Sequence, residues 1–153
     1  MQKRCLGMFF DMFLHKKENS QLASVKKDNA NGNTKPRLLL VVSDDLIRDI
    51  FRKLFERSGY YTVAVEKAKV GLETLKGECF DIVICDFDLH DSTGIEFFES
   101  AKDICPDRIN ILMITPGDPA NVYEVKKLNI RHIIEKPFPF EELLRIVEGT
   151  FKS

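Results

Sequence analysis

No run of apolar residues in this chain reaches the roughly 18 needed to cross a membrane as a helix. The start, "MQKRCLGMFFDMFL", sets basic residues ahead of an apolar stretch, as a secretory signal does. Asp11 interrupts that stretch, however, and no small-residue cleavage site follows, so export is not expected. Cysteine is sparse. The four present (Cys5, Cys79, Cys85, Cys105) have no CxxC spacing and no matching histidine cluster, which points to unpaired thiols in a reduced, cytoplasmic setting. A large charge of one sign is missing too, the net value being −1. That balance hides an asymmetry. Residues 1–37 carry eight Lys/Arg against three Asp/Glu, and the remaining 15 basic and 21 acidic residues leave the body acidic. An acidic body argues against direct nucleic-acid binding.

What is there suits one globular domain with a sizeable core: 153 residues, 44% hydrophobic and 31% charged. Residues 1–36 stand apart from it. Leu6, Phe9, Phe10, Phe13 and Leu14 fall on one helical stripe, followed by Lys16 and Lys17 at the prospective C-terminal end. A short amphipathic helix over 6–15 could contact a membrane surface or a partner's groove. The plainer reading is an extension that folds back on its own domain, or a disordered end. The stretch "ENSQLASVKKDNANGNTKP" is polar and short of aromatics, the composition of a flexible linker.

From residue 37 the pattern becomes regular. "LLLVV" (38–42) is a continuous apolar run, as expected of a strand covered on both faces. Ile47, Ile50, Phe51, Leu54 and Phe55 form a helical stripe stopped by Ser58-Gly59. Strands are expected at 60–65, 81–85, 109–115 and 131–135. Helices are expected at 67–77, over "GIEFFESAKD", at 119–128, and around Phe140, Leu143, Leu144 and Val147. Five strands alternating with five helices imply a doubly wound α/β fold, a five-stranded parallel sheet with helices on both faces. In such folds chemistry lies beyond the carboxyl ends of the strands.

The residues at those ends are few and polar: Ser43, Asp44 and Asp45, then Asp86 and Asp88, then Thr115, then Lys136. Carboxylates, a hydroxyl and an ammonium on one edge make a site for a hard cation and a phosphoryl group.

These residues carry a resemblance. "FDIVICDFDLHDSTGIEFF", "ILMIT" and "EKPF", in that order at strand ends, resemble the receiver domain of bacterial two-component response regulators over nearly all of 37–151. The resemblance implies a flavodoxin-like (βα)5 fold with strand order 2-1-3-4-5. It places the phosphoacceptor at Asp86, with Thr115 and Lys136 binding the new phosphoryl oxygens and a cis bond before Pro137. It implies Mg²⁺ held by Asp44, Asp86 and the backbone carbonyl of Asp88, with Asp45 one step beyond. A histidine kinase or phosphotransfer protein would supply the phosphoryl group, and a downstream protein target would read the result.

The chain also departs from the family. The acidic pair that normally follows the first strand falls on Val42 and Ser43 in an ungapped alignment, and on Ser43 and Asp44 with one residue deleted. Asp44 or Asp45 could equally cap the following helix, and both roles are met if the two acids divide the work. Ile133, beside His132, holds the usual aromatic switch position. His90 and Pro116 replace a proline and a small residue; His90 reads as a surface residue, and Pro116 as stiffening its loop. Asp88 and Asp91 read equally as solvated loop acids, and Cys85 as buried filler.

Two other functions compete. "DFDLHDS" resembles the DxD loop of haloacid-dehalogenase-type phosphatases, but here two strands precede it and no further acids follow the lysine strand. The stronger rival is a receiver that has lost phosphorylation and survives as a protein-docking module. No output domain follows the last helix, so action in trans, or origin in a longer protein, is expected.

Overall fold

The computed structural model describes residues 35–119 and 122–152. The helix expected at 6–15 and its linker lie outside the described residues. The strands are β1 (Arg37–Val41), β2 (Tyr61–Val65), β3 (Ile82–Asp86), β4 (Ile109–Ile114) and β5 (Ile130–Glu135). They form one parallel sheet in the order β2-β1-β3-β4-β5. Between and after them run α1 (Asp45–Arg57), α2 (Ala68–Gly77), α3 (Gly94–Ala101), α4 (Val122–Lys127) and α5 (Phe140–Lys152).

The unbroken apolar run of β1 follows from its place. It pairs on both edges, with Leu39 opposite Val63 and Val83, and helices cover both faces. Alternate side chains therefore enter different cores. Leu38 and Leu40 pack with Phe51, Phe55, Phe140 and Leu144 of α1 and α5. Leu39 and Val41 pack with Leu75 of α2 and Phe97 of α3. The first core is tightened by Phe55, whose ring lies 4.8 Å from Phe140 and 5.7 Å from Tyr60, both edge-on.

The expected strands and helices agree with the structure to within a residue or two, except for α4. Among the described residues it runs from Val122 to Lys127, against an expected 119–128. Pro116 and Gly117 occupy a turn ahead of it: Asp118 N–H donates to Thr115 O at 3.0 Å, and Gly117 has φ +98°. Proline second and a positive-φ glycine third is the pattern of a type II turn.

The expectation of unpaired thiols is overturned. Cys79 and Cys105 are joined by a disulfide, with Cα atoms 5.8 Å apart, so they are not unpaired thiols. Their separation of 26 positions hides the contact in the sequence. The parallel pairing of β3 and β4 brings the loops that enter both strands to the same edge of the sheet. Cys85 is free and buried, as expected of a filler, and burial pushes its thiol pKa up.

Candidate functional site

Parallel strands end together, so the polar residues after β1, β3, β4 and β5 meet at one edge. Asp86 closes β3 and is 2% exposed. Its two carboxylate oxygens face different partners. Lys136 Nζ lies 2.6 Å from Oδ1, and the Ser43 backbone N–H donates to Oδ2 at 3.2 Å. Lys136 follows β5 directly and is fixed by its own N–H, which donates to Ile114 O at 2.8 Å. The Lys136–Pro137 bond is cis, as the resemblance implied.

Burial raises the Asp86 pKa above the ordinary carboxylate value. Lys136 and the Ser43 N–H pull it back only in part, and the nearby charge of Asp44 adds to the rise. Asp86 is thus a desolvated carboxylate whose charge burial opposes and one ammonium and one amide favour.

Of the two acids after β1, one caps the following helix and the other pairs with a residue of that helix. Asp44 is the N-cap of α1, with φ −75° and ψ 120°, and accepts from Ile47 N–H at 2.9 Å. Asp45 turns to Arg48, 2.5 Å away. Arg48 in turn donates to the carbonyls of Val42 and Ser43, so Asp45 is engaged on the helix rather than at Asp86.

Ser43, at the place of an expected acid, does something the sequence did not reveal. Beyond its amide contact with Asp86, its Oγ donates to Asp88 O at 3.2 Å. It ties the end of β1 to the loop after Asp86. Thr115, one residue past β4, is exposed and positioned by its backbone: its N–H donates to Asp118 Oδ2 at 2.7 Å.

The loop after Asp86 is closed at several points. Asp88 bridges to Thr93. Thr93 and Glu96 form a reciprocal capping box at the start of α3. Asp91, read from sequence as a solvated loop acid, is instead a cap supplied from another loop. It accepts from the N–H groups of Ala68 and Lys69 at 2.9 and 3.0 Å, while Lys67, the N-cap of α2, makes no side-chain cap bond. Desolvation opposes the charge of Asp91, but the amides of Lys69 and Ala68 prevail and lower its pKa. No local spacing announces this, because the helix it caps lies 22 and 23 residues earlier. Asp91→Ala should cost about 1 kcal/mol in urea unfolding and Asp91→Asn much less; equal losses would show that charge, not capping, carries the contact.

His90 is exposed, its Nε2 3.9 Å from Glu66 Oε1, as a surface residue would be. Ile133 is 39% exposed on β5. Beside it, burial and Arg131 lower the pKa of His132.

A divalent cation has few ligands here. Among the described residues no group of three or more His, Cys, Asp or Glu side chains could hold a metal ion. The oxygens at hand are the Asp86 carboxylate, the Asp88 carbonyl, which accepts from Ser43 Oγ, and Asp44, whose Oδ1 is already engaged in capping. That set fits an ion that keeps several waters, as Mg²⁺ does, and not one that needs a full protein cage.

This chain belongs to the response regulator receiver domain family, whose family model matches residues 38–148. It is 28% identical over 114 residues to the response regulator receiver protein CpdR of Brucella abortus, covering 73% of this chain and 93% of that protein. It is 27% identical over 106 residues to sporulation initiation phosphotransferase F of Bacillus subtilis, covering 69% and 86%. Against the transcriptional regulatory protein FixJ of Bradyrhizobium diazoefficiens it is 25% identical over 120 residues. That alignment covers 78% of this chain but only 58% of the relative. The fold is that of a CheY-like receiver domain protein from Methanospirillum hungatei, with a TM-score of 0.73 at 24% identity, covering 77% of this chain and 94% of that one.

Receiver domains of this family are signalling switches, and Mg²⁺ and phosphorylation are typical of them. No helix among the described residues is long and apolar enough to cross a membrane.

Proposed function

We propose that this chain is a phosphorylation-dependent switch of a cytoplasmic two-component phosphorelay. Asp86 accepts a phosphoryl group from a phosphohistidine on a histidine kinase or phosphotransfer protein, and the product acts on a downstream protein by contact. The observation that carries the reading is the buried Asp86 carboxylate with Lys136 Nζ at 2.6 Å. Burial makes it more basic, and the ammonium beside it favours the charged form that attacks. An Asp86 oxygen attacks phosphorus, the histidine nitrogen leaves with its electron pair, and Lys136 and Thr115 bind the phosphoryl oxygens. Asp44, Asp86 and the Asp88 carbonyl would hold Mg²⁺, which supplies charge neutralisation at the phosphoryl group. Slow self-dephosphorylation would reset the switch without making the chain a dedicated phosphatase. The phosphotransferase named among its relatives supports the phosphoryl-transfer role.

A second reading, a protein-docking module independent of phosphorylation, is favoured by Ser43 at an acid's place and by Asp44 committed to a cap. Intact-mass spectrometry after incubation with a small-molecule phosphodonor separates the two. The first reading expects one Mg²⁺-dependent phosphoryl adduct on the parent protein and none on Asp86→Asn. No adduct on the parent under any condition favours docking. The variant also checks itself for folding. A carboxyl whose pKa is raised on folding contributes stability at acid pH that is lost as pH rises through the raised value. Asp86→Asn should therefore melt no lower than the parent at neutral pH.

A further inference from the structure

We infer that the Cys79–Cys105 disulfide is a reversible redox crosslink, exchanging with small thiols in solution and setting the order of the loop between α3 and β4. Cys79 lies in the loop entering β3 and Cys105 in the loop entering β4, at the edge of the sheet opposite Asp86. Cys79 is exposed and Cys105 half-buried, so a thiolate from solution can reach the bond. The third described cysteine, Cys85, is fully buried with its thiol pKa raised, and takes no part.

Both halves are held by contacts that do not involve sulfur. Arg37 Nε donates to Cys79 O at 3.0 Å, and the same guanidinium pairs with Glu78 and lies 4.2 Å over the Tyr61 ring. On the other side, the Arg108 N–H donates to Cys105 O at 3.2 Å and its Nη1 at 3.3 Å. Arg108 is buried and anchored further, Nη2 donating to Ala101 O and Nε to Asn110 Oδ1, each at 2.9 Å. When the bond opens, two separately anchored loops keep the thiols facing each other, and closure remains intramolecular.

Opening nevertheless has a local consequence. Cys105 has φ +48°, a left-handed conformation that a residue with a side chain adopts at a cost. Disulfide and Arg108 hold it there together; after reduction Arg108 acts alone, and residues 102–107 gain freedom. That loop is joined to the end of α4, because Asn110 Nδ2 donates to Leu128 O at 3.3 Å.

The exchange balances with glutathione as reductant. Its thiolate attacks Cys79 Sγ, and Cys105 Sγ leaves with the electron pair and takes a proton. A second glutathione thiolate attacks the glutathione sulfur of the mixed disulfide, releasing Cys79 as a thiol and oxidised glutathione. Re-oxidation runs the same steps backwards.

The test uses the full chain with Cys5→Ser, equilibrated in glutathione buffers from reduced to oxidised and approached from both ends. It is then quenched in acid, alkylated in denaturant and weighed. Expected is a reversible passage between one alkylated thiol (Cys85) and three, at the same buffer ratio from either direction. The reduced form should stay folded with a Tm about 10 °C lower, matched by Cys79→Ser, and with faster amide exchange confined to the 102–107 loop and the end of α4. A bond that stays closed in fully reduced buffer overturns the inference, as does one that never forms in oxidised buffer. Unchanged exchange at 102–107 overturns the loop claim.

Discussion

Lys136→Ala should slow phosphoryl uptake on Asp86 by about 10²–10³-fold at neutral pH. Two effects add. The ammonium at 2.6 Å is the side-chain cation paired with Asp86, and it pulls the carboxyl pKa down against burial and Asp44. Without it the Asp86 pKa climbs further, so less of the nucleophilic anion is present at any given pH. The ammonium is also the group placed to meet negative charge as the phosphoryl group arrives. The first loss depends on pH and the second does not. A rate–pH profile of the variant, read by intact mass, should therefore have its acid limb displaced to higher pH and recover part of the deficit under alkaline conditions. Stability is the weaker readout, since Lys136 is 35% exposed and water screens the pair. Uptake at the parental rate at pH 7 would mean that the Ser43 N–H alone sustains the anion.

How much of this was legible in the sequence varies with the range of the interaction. The strands announce themselves because β1 and β3 are buried on both faces, a demand that only an apolar run such as Leu38–Val42 meets. The meeting of Asp86 with Lys136, and the place of Thr115 on the same edge, follow from topology, since parallel strands put their carboxyl ends together. Asp44 as a cap was readable because its partner, the Ile47 amide, is three residues away. Ser43 was not. Alignment treats it as a missing carboxylate, whereas its amide and hydroxyl reach residues 43 and 45 positions later. Asp91 and the Cys79–Cys105 bond failed for the same reason. Each joins loops that only the finished sheet brings together, and neither has a local spacing to betray it.

Gly94→Ala should destabilise the domain by about 1–3 kcal/mol and impair phosphoryl uptake together. A Cβ at Gly94 would stand 2.5 Å from the carbonyl oxygen of Asp86 and 2.7 Å from Leu112 Cδ1. A leucine tip can swing aside, but the carbonyl cannot. The same glycine is held close by its own N–H, which donates to Phe87 O at 2.7 Å. Relief therefore requires α3 to lift from β3 or the Asp86 peptide to rotate. Either change moves the Asp86 carboxylate relative to Lys136 and the Ser43 amide, whose positions come from other strands. Gly77 gives the control, because a Cβ there meets nothing within 4 Å. Gly77→Ala should leave uptake unchanged and stability unchanged or higher by up to about 1 kcal/mol. Urea unfolding and intact-mass uptake on both variants decide the matter. If Gly94→Ala were as stable and as readily phosphorylated as the parent, the start of α3 would be free to slide, and the acceptor loop would not be pinned by close packing.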